Sequence, residues 1–168
     1  MEFKFRLAKK NEINKAFELL CSSAETLSKK NIDQWQYWKN PPIEKIQWVE
    51  FGFKNKEFFF IETLAQKTIG MVRLSNEDLI YWGEMNDKSV YIHSLIIDKG
   101  FSGNKIGERV LAQIKEDSAK KRFHYLRLDC DATNLKLCKY YENQNFEKVG
   151  LKTLPLGKYN LYEKKISH

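Results

Sequence analysis

The spacing of apolar residues changes repeatedly along this chain, and each change marks an element. From Glu2 to Ala8, Phe3, Phe5 and Leu7 alternate with Glu2, Lys4 and Arg6, the two-residue period of a half-buried strand. From Asn11 to Lys29 the apolar positions become Ile13, Phe17, Leu20, Ala24 and Leu27, a helical stripe. Ile32 to Trp38 is crowded with Trp35, Tyr37 and Trp38 and runs into Pro41-Pro42. A second helix, Ile43 to Phe53, follows, because a first helical turn tolerates the missing proline N–H. Glu57–Leu64 and Thr68–Leu74 read as two strands turning at Gln66-Lys67. Ser75–Lys88 reads as a polar loop interrupted by Leu79-Ile80-Tyr81-Trp82. A strand over Val90–Asp98 follows, then a helix over Lys105–Lys121 burying Ile106, Val110, Leu111 and Ile114. Tyr125–Cys130 (strand), Asn134–Gln144 (helix), and the strands Phe146–Leu151 and Asn160–Ile166 complete the chain.

The predicted order is β-α-α-β-β-β-α-β-α-β-β. Short loops in the middle favour antiparallel pairing, and strand–helix–strand from Val90 to Cys130 implies a right-handed parallel crossover. The expectation is an α/β fold with a mixed, mostly antiparallel central sheet flanked by helices. At 168 residues, with no linker or repeat, one domain over 1–168 is expected.

Composition narrows the function classes. No apolar run approaches a membrane span, and the N-terminus alternates charge with aromatics where a signal peptide would be apolar. The three cysteines, Cys21, Cys130 and Cys138, have no metal-ligand spacing, and an odd count argues against a disulfide framework. A reduced, cytoplasmic protein without a metal is expected. The net charge of +7 is spread along the chain, so a solvated surface explains it better than a nucleic-acid interface, with attraction of a polyanionic cosubstrate as a second contribution.

The chemistry concentrates after the Val90–Asp98 strand. There Phe101-Ser-Gly-Asn-Lys-Ile-Gly107 leads into a helix, and unpaired N–H groups of a first helical turn point at anions. Such a device suits a phosphate group. By itself, an ordinary tight turn is an equal reading of Gly103 and Gly107.

Two motifs together resemble the GNAT superfamily of acetyl-CoA-dependent N-acetyltransferases. Its Q/R-x-x-G-x-G/A signature falls on Ser102-Gly-Asn-Lys-Ile-Gly107, preceded by Tyr91-Ile-His-Ser-Leu-Ile-Ile-Asp98 as the family's fourth strand. Its Asn-initiated helix, ending near Tyr-x-x-x-Gly-Phe, falls on Asn134 to Phe146. The order of elements matches along the whole chain. Three positions depart: Ser102 replaces Gln or Arg, Lys105 replaces the central glycine, and Asn145 replaces the glycine before Phe146. Asn tolerates the left-handed conformation that ends helices, and the Lys105 ammonium could pair with a phosphate.

The resemblance implies a set of roles. Backbone N–H groups across Gly103, Asn104, Lys105, Ile106 and Gly107 would hold the coenzyme A diphosphate, with Ser102 also at the cofactor. Leu95, Ile96 and Ile97 would pair with the pantetheine arm at a bulge, in the manner of an added strand. Asn134, Cys138 and Tyr141 would flank the cofactor, with the Tyr141 hydroxyl as general acid for the departing thiolate. His93 and Glu84 are candidates for the base that deprotonates the amine, and Glu62 is a third. Trp35, Trp38 and Trp82 would wall the acceptor pocket, with core packing as the competing role. The implied reaction is direct transfer of acetyl from acetyl-CoA to a primary amine, small molecule or peptide, in a ternary complex. The alternative is a non-catalytic acyl-CoA-binding or sensor domain. A homodimer is compatible with the family's habit of pairing through sheet edges.

Overall fold

The computed structural model describes Met1–Ser167. Among these residues the chain forms β1 (Phe3–Leu7), α1 (Ile13–Lys29), α2 (Ile43–Lys54), β2 (Phe58–Thr63), β3 (Thr68–Ser75) and β4 (Ser89–Ile97). It continues with α3 (Ile106–Lys120), β5 (Tyr125–Asp131), α4 (Leu135–Asn143), β6 (Glu147–Leu154) and β7 (Gly157–Lys165). The expected order is the observed one. The strands lie in the order β1-β2-β3-β4-β5-β7-β6, and the described pairings are antiparallel except for β4 with β5. No helix among the described residues is long and apolar enough to cross a membrane.

Two compact units divide the chain, one of Met1–Leu74 with Ser94–Ile106, the other of Ser75–His93 with Gly107–His168. In the first, β1 and β2 pair from Phe3↔Thr63 to Leu7↔Phe59, and β2 continues onto β3 through a turn in which Gln66 takes a left-handed φ of 64°. The helical stripe is realised with a small rotation. Ala16, Leu20 and Ala24 are the fully buried positions of α1, while Ile13 and Phe17 lie partly buried beside them. They pack with Val49 and Phe53 of α2, Phe58 and Phe60 of β2, Met71 of β3 and Ile96 of β4. Each fully buried large side chain of this set contributes about 1.5–3 kcal/mol of transfer free energy.

In the second unit the parallel ladder of β4 with β5 runs from Ser89↔Tyr125 to Ile92↔Leu128. The face of α3 predicted from its spacing, Ile106, Val110, Leu111 and Ile114, is buried throughout. Alternation along β5 separates two environments. Leu126, Leu128 and Cys130 face one way and Arg127, Asp129 and Asp131 the other, since successive strand residues point to opposite faces.

Candidate functional site

In the first unit, β4 is followed by a short exposed loop. Gly103 and Lys105 both take left-handed backbone, with φ of 84° and 54°. Left-handed residues alternating with their neighbours turn successive N–H groups toward a common concavity, the geometry that receives anions. Lys105 therefore adopts the conformation that a glycine would hold without cost, and its side chain is exposed. Ser102 through Lys105 are exposed, and Ile106 is buried as the first residue of α3. Ser102 donates from Oγ to the Lys99 carbonyl at 2.9 Å, and Asp98 accepts the Gly100 N–H at 2.8 Å, which fixes the entry to the loop. This open, positively charged turn suits a diphosphate.

The strand before the loop carries a second irregularity. Ser94 has a left-handed φ of 49°, so β4 is kinked in the middle, just ahead of Leu95, Ile96 and Ile97. Leu95 and Ile97 are half-buried and Ile96 is in the core. Close approach to β3 accompanies the kink: a side chain at Gly70 would collide with the Ile96 carbonyl. The left-handed Ser94 lies one residue ahead of the segment where the resemblance implies a bulge.

Trp38 lies elsewhere than the acceptor-pocket expectation put it. It is 4% exposed, with its ring 5.2 Å from Tyr37 and 6.3 Å from Trp48, and it belongs to the core of the first unit. Trp35 is partly buried against that core at a left-handed φ of 65°. Glu62 is held by Arg6 at 2.7 Å.

In the second unit, one face of β5 meets α4. Asn134 caps that helix, its carboxamide oxygen accepting the Leu137 N–H at 3.1 Å, which satisfies an otherwise orphaned donor. Cys138 and Tyr141, one and two turns on, are buried. The Cys138 sulfur is 3.4 Å from that of Cys130 and accepts the Asn160 side-chain N–H at 3.4 Å. The Tyr141 ring packs edge-on to Phe146 at 5.8 Å and tilted on Tyr162 at 6.3 Å. Burial pushes the proton affinity of Tyr141 and of Cys130 well above the ordinary phenol and thiol values. Tyr140 points away from this cluster. Its hydroxyl would sit 2.7 Å from a β-carbon at Gly107, so Gly107 is a glycine where α4 approaches α3. Asn145 takes a left-handed φ of 60° before Phe146, as its helix-ending position requires.

The opposite face of the same strands is charged. Arg127 is almost fully buried and donates to Glu163 at 2.7 Å, to Asp87 at 3.0 Å and to the Tyr91 hydroxyl at 3.1 Å. Trp82, half-buried, lies over this guanidinium at 5.1 Å and edge-on to Tyr91. One step beyond the last ladder pair, His93 stands between two carboxylates. Its Nε2 is 3.7 Å from Asp78 Oδ2, and its Nδ1 is 3.9 Å from Asp129 Oδ1. The three side chains are 9%, 6% and 14% exposed respectively. Glu84, the other expected base, is exposed on the loop after Gly83 and is not part of this group.

Sequence reasoning missed Asp78 and Asp129. The alternation of Arg127, Asp129 and Asp131 with apolar residues was the available signal for a polar face on β5. Asp78 offered none, because the segment that delivers it is irregular. There Asp78 accepts the Tyr81 N–H at 3.1 Å and bridges to Gly83.

With this geometry in place, the comparisons are direct. Residues 22–146 match the Acetyltransferase (GNAT) family, and the chain belongs to that family. It is similar to the uncharacterized N-acetyltransferase YesJ of Bacillus subtilis (strain 168), 28% identical over 155 residues, covering 89% of this chain and 82% of the relative. A GNAT-family acetyltransferase from Listeria monocytogenes 4b F2365 shares the fold with a TM-score of 0.79 at 22% identity, covering 98% and 95% of the two chains. The aminoglycoside acetyltransferase AAC(6')-Ib, solved with coenzyme A and kanamycin, shares it with a TM-score of 0.69 at 18% identity, covering 98% and 95%. The protein is an acetyltransferase of mixed α/β fold.

Proposed function

We propose that this enzyme moves the acetyl group of acetyl-CoA directly onto a primary amine in a ternary complex. The observation that carries the reading is His93, which stands just past the end of the β4–β5 ladder with a carboxylate at each ring nitrogen. An amine with a pKa of about 10.4 is neutral in about one molecule in 2,500 at pH 7, a handicap near 4.6 kcal/mol, so a proton acceptor is needed. His93 takes that proton as the N–H bond breaks, and the freed lone pair attacks the thioester carbon. The carbon–sulfur bond then breaks as the nitrogen, positively charged after attack, gives up its second proton to solvent. In the second unit, Tyr141 is the group that meets the developing thiolate. Reference values near 10 for a phenol and 8.5 for a thiol already make full proton transfer uphill by about 2 kcal/mol. Burial raises Tyr141 further, so its role is a hydrogen bond to the sulfur, with the thiol proton completed from solvent.

In the first unit, the exposed turn from Ser102 to Lys105 suits the diphosphate, with Lys105 adding charge, and the strand backbone at Leu95–Ile97 suits the pantetheine amides. The coenzyme A complex of AAC(6')-Ib, which shares the fold, supports acetyl-CoA as the donor. The acceptor class is narrowed by chemistry alone: it must offer an amine.

The test is release of free thiol from acetyl-CoA on adding amines: a polyamine, kanamycin, amino-acid amides and a lysine peptide. Acceptor-dependent release with intersecting initial-rate lines is expected. Tight acetyl-CoA binding with no release for any amine would instead support a non-catalytic binding domain.

A further inference from the structure

We infer that Asp78 and Asp129 are positioning residues that brace His93 at its two ring edges, so that the imidazole is stabilised most in its doubly protonated form. The inference deepens the base assignment above and rests on it.

A neutral imidazole carries one N–H and one lone pair. Between two carboxylates, such a ring can satisfy only one of them, and its lone pair faces the other oxygen unfavourably. An imidazolium presents an N–H to both. The distances of 3.7 and 3.9 Å are ion-pair separations, a few tenths of an ångström beyond a hydrogen bond, and each involves a different ring nitrogen. The environment therefore rewards the state that His93 enters on accepting the amine proton.

Each carboxylate is itself held. Asp129 is on β5, whose backbone is fixed by pairing with Leu161 of β7, and parallel register brings it beside His93 one step past Ile92↔Leu128. Asp78 divides its two oxygens, with Oδ1 accepting the Tyr81 N–H and Oδ2 turned to His93. The Tyr81 ring in turn packs edge-on to Tyr159 at 5.2 Å, anchoring the loop to β7. Two other charged groups of β5 share this face: Arg127, one alternation back, is engaged by Glu163, Asp87 and Tyr91, and Asp131, one alternation on, accepts the Thr133 N–H and hydroxyl.

The same three side chains could in principle surround a divalent ion, since one ligand atom from each lies within 4.8 Å of the others. The closest approaches argue for a proton instead. They use different ring nitrogens, one for each carboxylate.

The experiment reads the ring directly and needs no acceptor. The chain has three histidines, and ¹⁵N-histidine NMR of wild type with His93→Gln assigns the His93 ring signals. Titration of wild type, Asp78→Asn and Asp129→Asn is then compared, with the His124 signals reporting the fold. In each Asn variant the His93 midpoint should fall by about one pH unit, because an opposite charge at this range favours the charged ring by that order. Asp129→Glu should recover part of the shift. Midpoints unmoved in both folded Asn variants would overturn the inference. If neither variant folds, wild type decides: both His93 N–H signals appearing together support the brace, and a single neutral tautomer from pH 5 to 9 overturns it. Activity separates the two readings. Unchanged acetyl transfer in His93→Gln defeats the base assignment, whereas lost transfer with unmoved midpoints defeats only the brace.

Discussion

The two faces of β5 solve the problem of buried polarity in opposite ways. Against α4 the buried groups are neutral: two thiols in contact, a carboxamide on a sulfur, and two tyrosines. On the other face they are ionic: a guanidinium between two carboxylates, and an imidazole between two more. The difference teaches a division of labour. A neutral, desolvated face raises the proton affinity of Tyr141 and keeps it a donor at any working pH. On the ionic face, a proton added to the imidazole is met by two carboxylates. A neutral and an ionic environment thus fall on opposite sides of one strand, set by β5 residues that alternate.

The sharpest way to break that comparison is to neutralise the ionic face. Arg127→Met leaves the carboxylates of Glu163 and Asp87 without their cation and should destabilise the protein by about 3–5 kcal/mol, read from denaturant unfolding. On the neutral face, Tyr162→Phe removes one hydrogen bond to Glu142 and should cost about 1 kcal/mol. Equal losses in the two variants would mean that the faces do not differ energetically.

The next effect is catalytic. Tyr141→Phe keeps the ring packing on Phe146 and Tyr162 and removes only the hydroxyl. Turnover should fall at least about tenfold, or 1.4 kcal/mol in barrier, with acetyl-CoA affinity little changed. Turnover equal to wild type would remove Tyr141 from the reaction.

How much of this was legible in the sequence depends on whether a feature is periodic. The buried stripe Ile106–Ile114, the strand Phe3–Leu7 and the crossover from β4 to β5 follow from local spacing, though Leu7 stays exposed, and every element stands in its expected order. Trp38 went to the core because a crowded aromatic segment carries no period that says which ring turns inward. The kink at Ser94 and the left-handed Lys105 were invisible because non-glycine residues adopt them. Asp129 needed the register: only the pairing of Tyr91 with Arg127 brings His93 and Asp129 side by side. Asp78 needed the tertiary fold of an irregular loop.

The neutral face should also fail in alkali. For Tyr141 and Tyr162 the folded-state proton affinity is raised, by burial above all, so the unfolded chain loses those protons first. Their contribution is fully present below the unfolded value near 10 and declines as pH rises above it, by about 1.4 kcal/mol per pH unit for each group. Urea unfolding between pH 9 and 11 should show the fall, and Tyr141→Phe should reduce its slope. A slope identical in that variant would mean that burial does not hold the phenol neutral.

The smallest effect concerns the thiols and bears on the route of transfer. Cys21 is half-buried on α1, whereas Cys130 and Cys138 are buried in contact with one another, and burial pushes the Cys130 thiol up. The thiolate is the nucleophile, so a desolvated thiol that keeps its proton is inert toward disulfide reagents. In the folded protein at pH 8, Cys21 should react while Cys130 and Cys138 wait for denaturant. Rapid reaction of Cys138 in the native state, or an acetyl group on it in the mass spectrum after mixing with acetyl-CoA, would favour a covalent intermediate. It would also mean that the face against α4 supplies a nucleophile as well as a hydrogen-bond donor. Slow reaction of both buried thiols would count against a covalent acetyl-cysteine and leave the face against α4 a hydrogen-bond donor only.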